Sequence, residues 1–268
     1  MALDNPAFSR NSAFSSKQGA VAVAQDMSAQ ELQARFDQPA TLPDREVMTV
    51  ENTISKTVGA FAVLLVGAAI GWVLTPTMPA LFWIASIIGF VLALVNIFKK
   101  EPSPALILAY AGAQGIFIGG ISQIYEGMYS GIVAQAVIGT LVVFGVTLAL
   151  FASGKIRASK RATKVFLIAM VGYLVFSVIN MILMWTGVNN DPWGLRGAEI
   201  AGIPLGLVIG VLVIIMAAYS LVLDFDLIQQ GVRNRAPKKY GWTGAFGIMV
   251  TVIWLYLEIL RFIAIARD

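Results

Sequence analysis

Neither cysteine nor histidine occurs among the 268 residues. Without cysteine there is no disulfide, no thiolate nucleophile and no cysteine-held cluster. Without histidine, imidazole acid–base catalysis, zincin motifs and ordinary haem ligation are excluded. Charge is scarce as well: Asp, Glu, Lys and Arg together make up 13% of the chain. No Gly-rich phosphate loop and no Gly-x-Gly-Asp intramembrane protease pair is present, so the expectation is a protein that is not an enzyme.

What fills the chain instead is apolar sequence, 58% of all residues. Seven runs are each long enough to cross a bilayer: Thr57–Thr75, Ala80–Phe98, Pro104–Ser122, Gly131–Ala152, Lys164–Thr186, Gly202–Asp224 and Trp242–Ala264. A crossing helix needs about 20 mostly apolar residues. Backbone amides in lipid must be satisfied within the segment, so these runs are helices rather than strands. They lack the polar faces that a soluble helical core would show. The expected fold is an all-α polytopic membrane protein with seven transmembrane helices. Every lysine stands at a span end, in a loop or in the N-terminal segment. No buried amine is left for a Schiff base, which argues against a retinal protein.

Lys and Arg alternate between the two sides. The N-terminal segment carries Arg10, Lys17, Arg35, Arg45 and Lys56; the even loops carry Lys99, Lys100, Lys155, Arg157, Lys160, Arg161, Arg233, Arg235, Lys238 and Lys239. The odd loops hold only Arg196. The positive-inside rule then gives N-terminus in and C-terminus out. The formal net charge of +4 reads as basic loops on one membrane face, not as a nucleic-acid surface. Trp72, Trp83, Tyr125, Tyr129, Trp185 and Trp193 are expected near the outer interface, and Tyr240 and Trp242 near the inner one.

Two domains follow: a cytoplasmic, largely disordered tail over residues 1–55 and a seven-helix transmembrane domain over 56–268. The tail is rich in Ala, Gln, Ser and Asp and lacks the basic start and apolar core of a signal peptide. Within it, Ser28–Phe36 fits a short amphipathic helix, with Ser28 and Glu31 forming a capping box.

Ionisable residues inside spans are costly and mark protein-facing positions. Asp224 and Asp226 stand at the end of the sixth run, Glu258 and Arg261 within the seventh; Gln114 and Asn180 are weaker polar marks. On the seventh span Gly244, Gly247, Thr251, Trp254, Glu258 and Arg261 recur at threes and fours and share a face. Gly202, Gly206, Gly210, Ala217 and Asp224 form a similar series on the sixth. Such small-residue stripes let helices approach closely, so spans six and seven are expected to use them for packing, with each other or with other spans. Glu258 and Arg261, three apart, are expected to pair on one helix face. Asp224 is expected to be the main proton-sensitive group, placed at a helix C-terminus near the inner mouth, and Asp226 to be solvated in the loop.

The stretch DFDLIQQGVRNRAPKKYGWTGAFGIMVTVIWLYLEILRF, from Asp224 to Phe262, resembles the C-terminal block of Bax inhibitor-1-like membrane proteins. GIFIGGISQIYEGMYSGIVAQAVIGTLVVFGVTLALF, from Gly115 to Phe151, resembles the family's Gly-rich third span, outer loop and fourth span. The likeness runs from about Val50 to the end and is nearest to a bacterial branch with a long N-terminal tail. It implies six helices surrounding a central seventh and residence in a bacterial plasma membrane. It also implies that the protein passes calcium in a pH-dependent leak, with paired acidic groups on the sixth and seventh helices as latch. Asp224, followed by Ile228, takes the sixth-helix position. The seventh-helix position falls on Glu258 by its LYLE surroundings, or near Thr251 by distance from the preceding loop.

Two functions are therefore expected to compete. One is a calcium or other cation leak, with Ca2+ as cargo, no resident cofactor, and Asp224, Glu258, Gln114 and Asn180 as transient oxygen ligands. The other is a non-transporting regulator that binds another membrane protein, such as a quality-control protease. The bilayer is a partner in both, nucleic acid in neither, and the sequence sets no oligomeric state.

Overall fold

The computed structural model describes residues 47–268. The segment before them, including the helix expected over Ser28–Phe36, lies outside the described residues. Seven long helices follow one another: α1 Val50–Leu74, α2 Pro79–Phe98, α3 Pro104–Met128, α4 Ile132–Ala152, α5 Lys160–Trp185, α6 Leu205–Arg233 and α7 Gly241–Arg267. At about 1.5 Å per residue the shortest spans ~30 Å, the thickness of a hydrocarbon core. All seven are long and apolar enough to cross a membrane.

Local sequence explains the starts. The Thr49 hydroxyl accepts from the Asn52 amide ahead of α1, which therefore begins before the expected Thr57. Ser159 caps α5 by accepting from the Ala162 amide. Pro79 and Pro104 open α2 and α3, where a missing N–H costs nothing. Between α5 and α6 lie a 3-10 turn, Gly194–Arg196, and a two-residue hairpin of β1 (Glu199–Ile200) and β2 (Ile203–Pro204). Its turn residues, Ala201 and Gly202, both have positive φ, as a tight hairpin of this kind requires.

Two expected boundaries on the sixth span are corrected by this arrangement. Gly202 belongs to the hairpin turn, so it is not part of the helix stripe. The helix also does not stop at Asp224: it runs on to Arg233, because Phe225, Ile228 and Gly231 still have a protein face to bury. Asp224 is thus a mid-helix carboxylate, more than two turns from the C-terminus, and the helix-end dipole does not act on it.

The molecule is apolar on its outside. Leu65, Ile87, Leu141, Ile168 and Leu174 all stand exposed, as lipid contact demands. α7 is the most deeply buried helix, with interior residues along its length from Gly241 to Ile265. It packs directly on α1, α3, α4 and α6. α1 and α3 meet still more closely. A Cβ on Gly71 would overlap the Ile116 carbonyl oxygen, and one on Gly119 the Ala68 carbonyl. Small residues replace the missing hydrophobic drive with backbone-to-backbone contact.

The two ends of the bundle differ. At one, Val47 pairs with Pro237, the Met48 amide donates to the Ala236 carbonyl (2.7 Å), and Lys239 meets Glu101 at 2.8 Å. At the other, Arg267 donates to the Ser130 carbonyl and to Gln135, while Asp268 accepts from Tyr129 and from the Trp193 indole.

Candidate functional site

Close approach of α6 and α7 creates the site. A Cβ on Gly206 would lie 2.6 Å from Ile265 Cδ1, one on Gly210 2.7 Å from Phe262, and one on Gly244 2.8 Å from Ile228. The glycines of the sixth-span stripe, shorn of Gly202, thus admit bulky side chains of α7, and Gly244 of α7 admits one of α6. This contact brings Asp224 against Thr251. The Thr251 hydroxyl donates to Asp224 Oδ2 at 2.6 Å, and Ser220, one turn before Asp224, lies 3.3 Å from the same hydroxyl. Asp224 and Thr251 are each 5% exposed. Among the described residues no guanidinium or ammonium meets Asp224, which is held by a neutral hydrogen bond, so its protonation state and the fit of the two helices are coupled.

Of the two seventh-helix positions, the geometry brings Thr251, not Glu258, to Asp224. The two lie seven residues apart, about 10 Å along the axis at ~1.5 Å per residue. The LYLE surroundings of Glu258 pointed elsewhere because local sequence matches side-chain neighbours, not depth along the bundle.

Glu258 builds a second cluster nearer the chain's C-terminal end. Arg261 Nη1 donates to Glu258 Oε1 at 2.8 Å, so the i, i+3 pair read from the sequence does form. The Tyr173 hydroxyl of α5 donates to the same oxygen. Arg196 Nη1 lies 3.7 Å from Oε2, and its Nη2 donates to the Tyr173 oxygen at 2.8 Å. Arg196 also stacks its guanidinium over the Tyr173 and Phe176 rings. Sequence reasoning counted Arg196 as a loop charge. Instead the residue is 6% exposed, folded inward by the 3-10 turn. The available signal was its isolation, as the one basic residue in the odd loops. Tyr173 gave no signal, since an aromatic in an apolar span is ordinary.

The remaining marks have local duties. Asn180 accepts from the Leu195 amide at 2.6 Å and donates to the Trp193 carbonyl, which fastens the α5–α6 loop. Gln114 of α3 packs on α2, where a Cβ on Gly89 would stand 2.9 Å from its amide nitrogen. Asp226 is not solvated in a loop: it is partly buried on α6 and accepts from Gln230 one turn on, at 2.9 Å. Among the described residues no three acidic side chains gather as a metal site.

Seven apolar helices, with a deeply buried last helix and a carboxylate held between it and the sixth, define an integral multi-pass membrane protein with an ionisable interior. The sequence matches the family described as Bax inhibitor 1 like over residues 5–268, and the chain belongs to it. That match reaches well into the N-terminal segment, beyond the region where motifs are legible. No curated protein matches the sequence.

Proposed function

We propose that this protein is a proton-sensitive cation leak, with calcium as the preferred cargo, and that it does no enzymatic chemistry. The observation that carries the reading is the Thr251–Asp224 hydrogen bond between two close-packed helices. Deprotonated, Asp224 is a buried anion that draws cations and water; protonated, it is a neutral link between α6 and α7. Either state biases the same helix contact, and a bias of a few kcal/mol redistributes a two-state helix pair. Calcium takes several oxygen ligands, and here Asp224 would be joined by hydroxyls such as Thr251 and Ser220 and by backbone carbonyls, which suits passage better than retention. Because the seventh-helix partner is a hydroxyl, the repulsion of two carboxylates does not contribute, and the response to pH is shallow.

The basic even loops support N-terminus in and C-terminus out; residence in a bacterial plasma membrane follows from the family resemblance alone. The test is calcium flux in proteoliposomes of the purified protein at acidic and alkaline pH. Flux that depends on pH and on Asp224 supports the leak; absence of flux at every pH removes it.

One contact favours a second reading, that of a regulator bound to another membrane protein such as a quality-control protease. Met48, 1% exposed, is docked on the Ala236 carbonyl of the α6–α7 loop, so a partner held by the N-terminal segment would pull on the loop that joins Asp224 to Thr251. Removal of residues 1–46 should abolish such regulation and leave a leak intact.

A further inference from the structure

The cluster at Glu258 is electrically unbalanced. Two guanidiniums, Arg196 and Arg261, face one carboxylate, and Glu258 and Arg196 are both buried. A buried charge left unmatched is costly, and one partner would have sufficed for neutrality. The second guanidinium is brought by a loop and not by a membrane helix. That loop is fastened on several sides: Asn180 holds the Leu195 amide, Asp191 accepts from the Trp193 amide at 2.7 Å, and the Trp193 indole donates to Asp268 at 2.7 Å. Gly194 adopts φ +62 to turn Arg196 inward. α5, which lines the cluster through Tyr173 and Ser177, is itself little buried, and both residues accept from Arg196.

We propose that the α5–α6 loop is a plug at the C-terminal end of the bundle, in which Arg196 is a tethered cation that stands beside the Glu258 carboxylate and closes that end to mobile cations. With Arg196 in place, a cation approaching Glu258 meets net positive charge, and Oε1 is already engaged by Arg261 and Tyr173. With Arg196 withdrawn, Glu258 and Arg261 remain as a neutral pair, and Oε2, which accepts no hydrogen bond among the described residues, loses the guanidinium that screens it. Fixed arginines in a pore are an effective electrostatic barrier to cations. The closure rests on this geometry alone; its consequence for flux rests on the leak reading above.

The chain has no cysteine, so a single Ser177→Cys reporter is unambiguous. Ser177 is half-buried on α5, 3.4 Å from Arg196 Nη2. The measurement is its rate of reaction with a cationic, membrane-impermeant methanethiosulfonate, in full-length protein in proteoliposomes, beside calcium flux on the same samples. Arg196→Gln should accelerate modification by about tenfold or more, as expected when a closed local state is no longer favoured; Arg196→Lys should stay near the parent rate. Because Arg196→Gln leaves Glu258 paired with Arg261, it should fold; Arg196→Met, which keeps the volume, serves if it does not. Faster modification with increased flux supports both plug and leak. Faster modification without flux at any pH upholds the plug and removes the leak reading. An unchanged rate in a folded variant overturns the plug, whatever the flux.

Discussion

Thr251 of α7 donates its hydroxyl to Asp224 of α6 at 2.6 Å, in a contact where both residues are nearly inaccessible. A hydroxyl is a one-proton partner that cannot itself charge near neutral pH. The protonation equilibrium at this contact therefore belongs to Asp224 alone, and the variants that test it are correspondingly simple.

Asp224→Asn keeps the shape and removes the charge. Any calcium flux should then lose its dependence on pH, while Asp226→Asn, altered at a carboxylate that accepts from Gln230 on its own helix, should retain it. Flux in proteoliposomes across a pH series distinguishes the two. Wild-type pH dependence in Asp224→Asn would sink the latch and favour the regulator.

Thr251→Val removes the donor and leaves Asp224 buried with one hydrogen bond fewer. The expected loss is about 1–3 kcal/mol, read as a lower melting temperature in detergent. Thr251→Asp should act in the opposite sense on function. Two carboxylates at hydrogen-bonding distance cannot both ionise freely, so the ratio of flux at alkaline and acidic pH should widen relative to the parent.

Glu258→Gln strips the carboxylate from between two guanidiniums and should cost about 3–5 kcal/mol, more than Arg261→Gln, which leaves Glu258 with Arg196. The double variant leaves Arg196 alone, so it should not recover the loss that a simple two-member pair would. Only the triple change, with Arg196→Gln, should do so. Melting temperatures of the four proteins in one detergent decide the order.

Glu101 provides the control for pH work. Its carboxyl is held below the usual range, first by the hydrogen bond from Lys239 and then by that residue's charge. A depressed carboxylate contributes stability that is present above its unfolded value and lost as pH falls through the folded one. At this exposed site the contribution is small. Glu101→Gln should therefore change neither the melting temperature at neutral pH nor the pH profile of flux; a shifted profile would place a second sensor at this end of the bundle.

Gly71→Leu or Gly119→Leu should abolish the folded protein rather than weaken it, since a side chain there overlaps backbone carbonyls of the facing helix and not a movable rotamer. Gly145→Leu, with nothing within 4 Å of its Cβ direction, should be tolerated. Folded yield on size-exclusion chromatography in detergent separates them.

Topology is testable in the same cysteine-free background. A cysteine at Lys155, between α4 and α5, should be shielded from an impermeant reagent in intact cells, and one at Val188, 73% exposed beyond α5, should react. The reverse pattern would invert the orientation.

The sequence by itself determined the seven helices, because lipid leaves the backbone no alternative and run length is read directly from composition. It also determined that the sixth and seventh helices pack through small residues, and that Glu258 pairs with Arg261, since both depend on spacing along one helix. It could not determine what depends on depth between helices. Whether Asp224 meets Thr251 or Glu258 turns on the axial offset of α6 and α7, which is fixed where Gly206, Gly210 and Gly244 let bulky side chains of the partner in. The end of α6 was misplaced because polar residues at Asp224 and Asp226 resemble a membrane boundary, when burial against the bundle carries the helix on to Arg233. In the sequence Arg196 is simply the one basic residue of the odd loops. Only the fold of that loop, with Gly194 left-handed and Asn180 holding Leu195, turns it into the interior. Periodicity along the chain is local and legible; register between elements is set by packing, and packing is decided in three dimensions.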